Sequence, residues 1–217
     1  VKRLLVKVCG LTREEDVRRA DELGADLLGF IFHKKSPRNV DSAFVAALRK
    51  TSARKVGVFV DQDADEVCAI MDAARLDLAQ LHGDQDQAFC ARVGAPRVIR
   101  VFWPARHAAG EDARTSDGLP GQALADEMRA YADAAAFFLL DAGTSGGGHG
   151  QAFDPGLLAG LESPCPVFVA GGLGPQNLAI ALALPGIAGV DLNSGVESAP
   201  GVKDPEKLGA AFALLKN

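Results

Sequence analysis

The sequence predicts an α/β chain closed into a single (β/α)8 barrel of the TIM type over residues 1–217. Three observations predict it. Apolar runs of strand length alternate with amphipathic stretches along the whole chain, and the count of such pairs is eight. The apolar runs are also short and continuous, as parallel strands buried on both faces require. Eight strand–helix pairs in 217 residues sit near the short end of the barrel range. A doubly wound open sheet is the competing arrangement, because one misassigned strand changes the count.

Taken in order, the first strand candidate is Leu4–Cys9, which ends in Cys9-Gly10 and gives way at Thr12 to a helix over Arg13–Leu23. Thr12 with Glu15 three residues later reads as a capping box, and Gly24 suits the C-terminal cap. Next come strands at Leu27–Phe32 and Lys55–Val60, with helices at Ser42–Lys50 and Ala64–Ala74. Leu78–Leu81 and Val98–Phe102 follow, separated by a helix over Gln85–Val93. Pro104–Pro120, rich in Ala, Gly, Asp and Arg, is an irregular insertion on the catalytic face, either a lid or a disordered loop. The remaining helices are Gly121–Ala132, Pro155–Leu161, Pro175–Leu184 and Pro205–Leu215, around strands Phe137–Asp141, Val167–Ala170 and Gly189–Leu192. Asp154-Pro155, Gly174-Pro175 and Asp204-Pro205 each place a proline just inside a helix start.

Composition narrows the function. The chain is 48% hydrophobic and 24% charged, with a net charge of −5. A mildly acidic chain offers no basic face to nucleic acid or an anionic membrane. No apolar run approaches the roughly 18 residues that span a bilayer, and the first residues lack the pattern of a secretory signal. Cys9, Cys68, Cys90 and Cys165 lie far apart with no C-x-x-C pair. These features fit a cytoplasmic enzyme with reduced thiols.

In a barrel the reactive groups come from the carboxyl ends of the strands. Those ends hold Cys9, Ser36-Pro37-Arg38, Gln80-Leu81-His82-Gly83 and Asp141. The last two hold Gly171-Gly172-Leu173 and Asp191-Leu192-Asn193-Ser194-Gly195. Cys9 is either a buried small hydrophobe, the common fate of a free thiol, or a reactive group. Arg38 is either a solvated surface charge or a bidentate clamp for a carboxylate. Asp141 either caps a glycine turn or serves as a general acid. The loop Ala142–Gln151, with Gly148 and Gly150, is a linker or a cradle of backbone N–H groups for an anion. Glycine turns after the seventh and eighth strands favour phosphate. Neither a Walker sequence nor G-x-G-x-x-G occurs, so nucleotide is not indicated. Gly143–Gly147 fits G-x-S-x-G, yet no histidine follows His149, which breaks the order that a hydrolase needs.

Taken together, these strand ends resemble the phosphoribosylanthranilate isomerase family. The resemblance runs from Lys7-Val8-Cys9-Gly10-Leu11-Thr12 through Ser36-Pro37-Arg38, Gln80–Gly83, Leu140-Asp141 and Gly147–Asp154 to Ala170–Leu173 and Gly189–Asp204. It implies an Amadori rearrangement without cofactor or metal, on a small phosphosugar–anthranilate substrate, by a monomer or homodimer. It further implies that Asp141 is the general acid, Cys9 the general base and Arg38 the holder of the anthranilate carboxylate. By the same resemblance His82 and Asp191 are expected to line the pocket, and Gly148, Gly150, Gly171, Gly172, Asn193, Ser194 and Gly195 to bind phosphate. The chain departs from the family pattern at Asn39, His149, Asn193 and the long Pro104–Pro120 connection.

Two other classes compete. Another phosphosugar barrel enzyme would carry a lysine with a glutamate, or two aspartates, where this chain has Cys9. A barrel that only senses a phosphorylated ligand needs neither Cys9 nor Asp141. With no histidine near Cys9 in sequence, a base is a better role than a nucleophile. Lys7 lies two residues earlier and shares the inward face by strand alternation. It is expected to lower the pKa of the thiol.

Overall fold

The structure, a computed structural model, describes residues 3–107, 122–142 and 161–216. Strands β1 (Leu5–Val8), β2 (Leu27–Ile31), β3 (Arg54–Phe59) and β4 (Leu78–Leu81) are followed by β5 (Val98–Phe102), β6 (Phe137–Asp141), β7 (Val167–Ala170) and β8 (Ile187–Leu192). They pair in parallel in that order, and β8 closes on β1. Closure rules out the open sheet. The expected helix Pro155–Leu161, the Asp154-Pro155 start, Gly148, Gly150 and most of the 104–120 insertion lie outside the described residues.

Strand alternation divides the apolar side chains between two layers. Leu27, Val56, Leu78, Ile99, Leu139 and Phe168 fill the barrel interior. Their neighbours Val6, Val8, Leu28, Phe30, Phe59 and Phe138 face outward and pack under the helices. Each such side chain removed from water contributes about 1.5–3 kcal/mol, so continuous apolar strands are stable only with both layers covered. The same inward phase carries Lys7, Gln80, Asp141 and Asp191, all buried. At the carboxyl end of the barrel the interior therefore turns polar.

The helices are α1 (Glu14–Leu23), α2 (Ser42–Ala47), α3 (Ala64–Ala74), α4 (Gln87–Val93), α5 (Pro104–His107), α6 (Gln122–Ala130), α7 (Leu178–Leu182) and α8 (Pro205–Leu215). Aspartates start four of them. Asp41, Asp63 and Asp86 accept from the N–H of Phe44, Glu66 and Phe89, and Asp204 accepts from Glu206 and Lys207. Gly24 caps α1 in the left-handed region, at φ 96°. No helix among the described residues is long and apolar enough to cross a membrane.

Several boundaries differ from the sequence reading, each for a local reason. The Thr12–Glu15 capping box does not form. Helix α1 begins at Glu14 with no side-chain cap, because the Thr12 hydroxyl donates to the Gly201 carbonyl at 2.6 Å. Pro175 is not inside a helix start; α7 begins at Leu178. Asn177 holds the intervening turn by accepting from Gly174 N–H at 2.8 Å and donating to the Gly172 carbonyl at 3.2 Å. Helix α2 stops at Ala47, where Leu48 turns extended, and Lys55 Nζ donates to the Val45 carbonyl. Gln85 stays outside α4, its side chain bound to Gly83 N–H and the Val60 carbonyl. After β8 the chain also makes an antiparallel ribbon, β9 (Glu197–Ala199) with β10 (Val202–Lys203). That ribbon folds back onto α1, where Lys203 N–H donates to Asp16.

Asp204→Ala removes two hydrogen bonds from the start of α8 and should destabilise the protein by about 1 kcal/mol. A urea titration reads this as a lower midpoint at unchanged slope. An unchanged midpoint would assign the helix start to Pro205 and packing alone.

Candidate active site

A cavity of about 310 Å³ opens at the carboxyl ends of the strands. Cys9, Arg38, His82, Asp141 and Asp191 all line it, so five strand ends distant in sequence converge. Gly171, Gly172, Asn193 and Ser194 form its wall after β7 and β8. Gly195 is the described member of the expected phosphate set that does not line the cavity. It presses instead on the loop after β7, where a Cβ would lie 2.3 Å from the Leu173 carbonyl oxygen.

Lys7 and Asp191 are register partners on β1 and β8, and their side chains meet at 2.7 Å inside the barrel. Burial lowers the Lys7 pKa, but Asp191 and then Cys9 outweigh it and raise the ammonium above its ordinary 10.5. Cys9 follows β1 and stays in the ladder through its N–H to the Leu192 carbonyl. Its thiol points inward beside Lys7 and has room because β2 carries Gly29 opposite. A Cβ there would sit 2.7 Å from Sγ. Lys7 does pull the thiol pKa down, as expected. Burial is larger, however, and with Asp191 it pushes the thiol above its ordinary 9.0. The expectation of a lowered thiol is therefore corrected: the partner is right and the net direction is opposite.

Across the mouth, Asp141 at the end of β6 stands 3.5 Å from His82 Nε2. His82 Nδ1 is 3.0 Å from Gln80 Nε2. With the amide nitrogen assigned as donor, Nδ1 accepts and the ring proton lies on Nε2, toward Asp141. Trp103 packs edge-on against the imidazole. Burial lowers the His82 pKa to about 4, against the pull of Asp141. His82 is thus neutral at pH 7.

Arg38 is neither a surface charge nor a free fork. Its Nε and Nη2 donate to Glu197 at 3.0 and 2.7 Å, and Glu197 also accepts from Lys203 Nζ at 2.8 Å. Burial would raise the Glu197 pKa, but Arg38 and Lys203 hold it below the ordinary 4.5. Lys203 further donates to Oδ1 and the carbonyl of Asn193. Sequence reading missed Glu197 and Lys203. No local pattern joins them to an arginine 159 residues before Glu197; their position just after the eighth strand is the one available signal. Gly10 permits the crowding, with φ +71° and a Cβ position 2.8 Å from Arg38 Cδ.

These groups offer a thiol beside an ammonium, a carboxyl beside a neutral imidazole, and a cationic cluster at one wall. Such a set suits proton transfer at carbon and oxygen on an anionic ligand. The burial of His82 also fixes a pH dependence of stability. An unfolded histidine takes up a proton near pH 6.5, whereas folded His82 does so only near pH 4. Stability should fall as the pH drops from 6.5 through 4, by up to about 3 kcal/mol. Urea midpoints between pH 7 and 4 should decline less steeply in His82→Gln. Parallel declines would remove His82 as a source.

Residues 6–213 match the family model for N-(5'phosphoribosyl)anthranilate (PRA) isomerase. The N-(5'-phosphoribosyl)anthranilate isomerase of Desulfovibrio desulfuricans is 50% identical over 211 residues, covering 97% of this chain and 95% of that one. The crystal structure of phosphoribosyl anthranilate isomerase from Thermus thermophilus matches with 37% identity, a TM-score of 0.77 and 98% of each chain covered. The Thermotoga maritima enzyme matches at 26% identity and a TM-score of 0.82, again over 98% of each chain. By sequence and by fold, the chain belongs to the N-(5'-phosphoribosyl)anthranilate isomerase family.

Proposed function

We propose that this chain converts N-(5′-phosphoribosyl)anthranilate to 1-(2-carboxyphenylamino)-1-deoxyribulose 5-phosphate, an Amadori rearrangement of tryptophan biosynthesis. The observation that carries the reading is that Cys9 and Asp141, from well-separated strands, line one cavity with Arg38. Asp141 protonates the ribose ring oxygen, and the C1′–O bond opens to an iminium. Cys9 takes the C2′ proton, whose bonding pair moves toward the iminium to give an enolamine; C1′ then gains a proton as the C2′ hydroxyl loses one, which yields the ketone. The chemistry is proton transfer throughout, and the chain supplies both groups.

A thiol raised by burial is scarce as thiolate but a strong base once formed, which suits a carbon acid. Lys7 supports the thiolate in a site where little water can. His82, neutral, borders Asp141 without placing a cation against the acid. Arg38 receives the anthranilate carboxylate through the Nη1–Nη2 edge that Glu197 leaves open. The phosphate lies against the Gly171-Gly172 and Asn193-Ser194 turns, where backbone N–H groups answer its charge. Gly195 supports those turns from behind. Gly148 and Gly150 are assigned to the same phosphate, in a loop outside the described residues.

Cys9→Ser and Asp141→Asn should each lower kcat by about 10²–10⁴-fold, with product affinity by fluorescence titration little changed. Near-normal turnover in either variant would remove that residue from the mechanism. Because Cys9 is raised by burial, kcat/KM should still be climbing beyond the ordinary thiol range. Lys7→Met removes the cation that acts most on the thiol and should move that rise to still higher pH. An unmoved profile would dismiss Lys7 as the thiol's electrostatic partner.

A further inference from the structure

The ribbon after the eighth strand brings two buried charges to Arg38 that the proton chemistry does not use. Glu197 and Lys203 have side-chain exposures of 5% and 1%, against 14% for Arg38. Glu197 is saturated. Oε1 accepts from Arg38 Nε, Lys203 Nζ and Gly201 N–H, and Oε2 from Arg38 Nη2. Lys203 is saturated too, its remaining donations going to Asn193. The arginine stem is confined as well, since its Cδ lies against Gly10 with no room for a side chain there.

We propose that Glu197, fixed in place by Lys203, is a positioning residue that aims Arg38 at the carboxylate of the substrate. It rests on the reading above that Arg38 binds that carboxylate. A guanidinium has five N–H donors in a rigid plane, so occupying the Nε–Nη2 edge determines where the other edge points. Only the Nη1–Nη2 edge is left for a ligand, and it is presented without the entropy of a free arginine. A carboxylate behind an arginine would ordinarily cancel its charge. Lys203 restores it: two cations and one anion leave the cluster at +1, matched to one carboxylate. The same ammonium holds Asn193 at its oxygen and so turns the amide Nδ2 away from Lys203. One buried ion thus orders both the carboxylate wall and the start of the phosphate turn.

The positioning role and a plain charge role predict opposite signs. Glu197→Gln adds a net positive charge to the cluster. If charge alone mattered, KM for the anthranilate substrate would fall. If Glu197 aims the fork, an amide N–H set against the guanidinium releases it, and KM should rise about tenfold or more with kcat little changed. The measurement is steady-state kinetics of the full chain with the natural substrate and with its aniline analogue, which lacks the carboxylate. KM for the analogue should differ less than about twofold between wild type and Glu197→Gln. Glu197→Asp, which keeps the charge but is one methylene too short, is run in parallel. It should give the same selective rise, and it answers the question if the amide variant does not fold.

An unchanged or lowered KM for the natural substrate, or an equal rise with both substrates, overturns the proposal. Arg38→Ala separates this failure from that of the underlying reading. If Arg38→Ala keeps the preference for the carboxylated substrate, the assignment of Arg38 itself is wrong. If Arg38→Ala loses that preference and both Glu197 variants keep it, only the positioning role falls.

Discussion

An ammonium and a carboxylate 2.7 Å apart in a barrel interior stand under severe constraint. Stripping either ion of water costs several kcal/mol even after relaxation, and only close, well-directed contact offsets it. Lys7 and Asp191 meet that demand because closure of β8 on β1 makes them register partners. A slip of one residue in either strand would turn its member of the pair out toward the helices. The rest of the mouth depends on this pair. It sets the field at Cys9, two residues further along the strand, and it lets a polar layer exist above an apolar one.

The site then divides its charges by purpose. Around Cys9 and Asp141 the standing groups are the Lys7–Asp191 pair and a neutral His82, so the ammonium beside the thiol carries a counter-ion of its own. Around Arg38 the balance is deliberately uneven, with Glu197 answering one of two cations. At 3 Å, Coulomb interactions in partly solvated protein amount to several kcal/mol. The difference between a neutral and a +1 wall is therefore enough to orient an anion such as the proposed substrate. In the proposed function, proton chemistry and anion recognition share one cavity on these unequal terms.

Much of this was legible in the residues. Period-two alternation put Lys7 and Cys9 on one face, and the eight apolar runs identified all eight strands. Asp204-Pro205 marked the start of α8 to the residue. Where the reading failed, a tertiary contact had outbid a local one. Thr12 prefers the Gly201 carbonyl to its own helix, and Asn177 delays α7 past Pro175. The sign of the Cys9 shift was missed because a neighbouring charge is visible in sequence and burial is not. Glu197 and Lys203 escaped for another reason: an ion pair spanning 159 residues has no periodicity to betray it.

That separation has a consequence for how the protein comes into being. Lys7 and Asp191 are 184 residues apart, and a ribosome adding 5–20 residues per second needs about 10–40 s to go from one to the other. Until the eighth strand emerges, Lys7 has no counter-ion, and a partial barrel that buried it would bear the full cost of a bare charge. Incomplete chains are thereby discouraged from collapsing into a near-native but unclosed form. The same pair ties the first strand to the last, so the mouth of the barrel is complete only when both are in place.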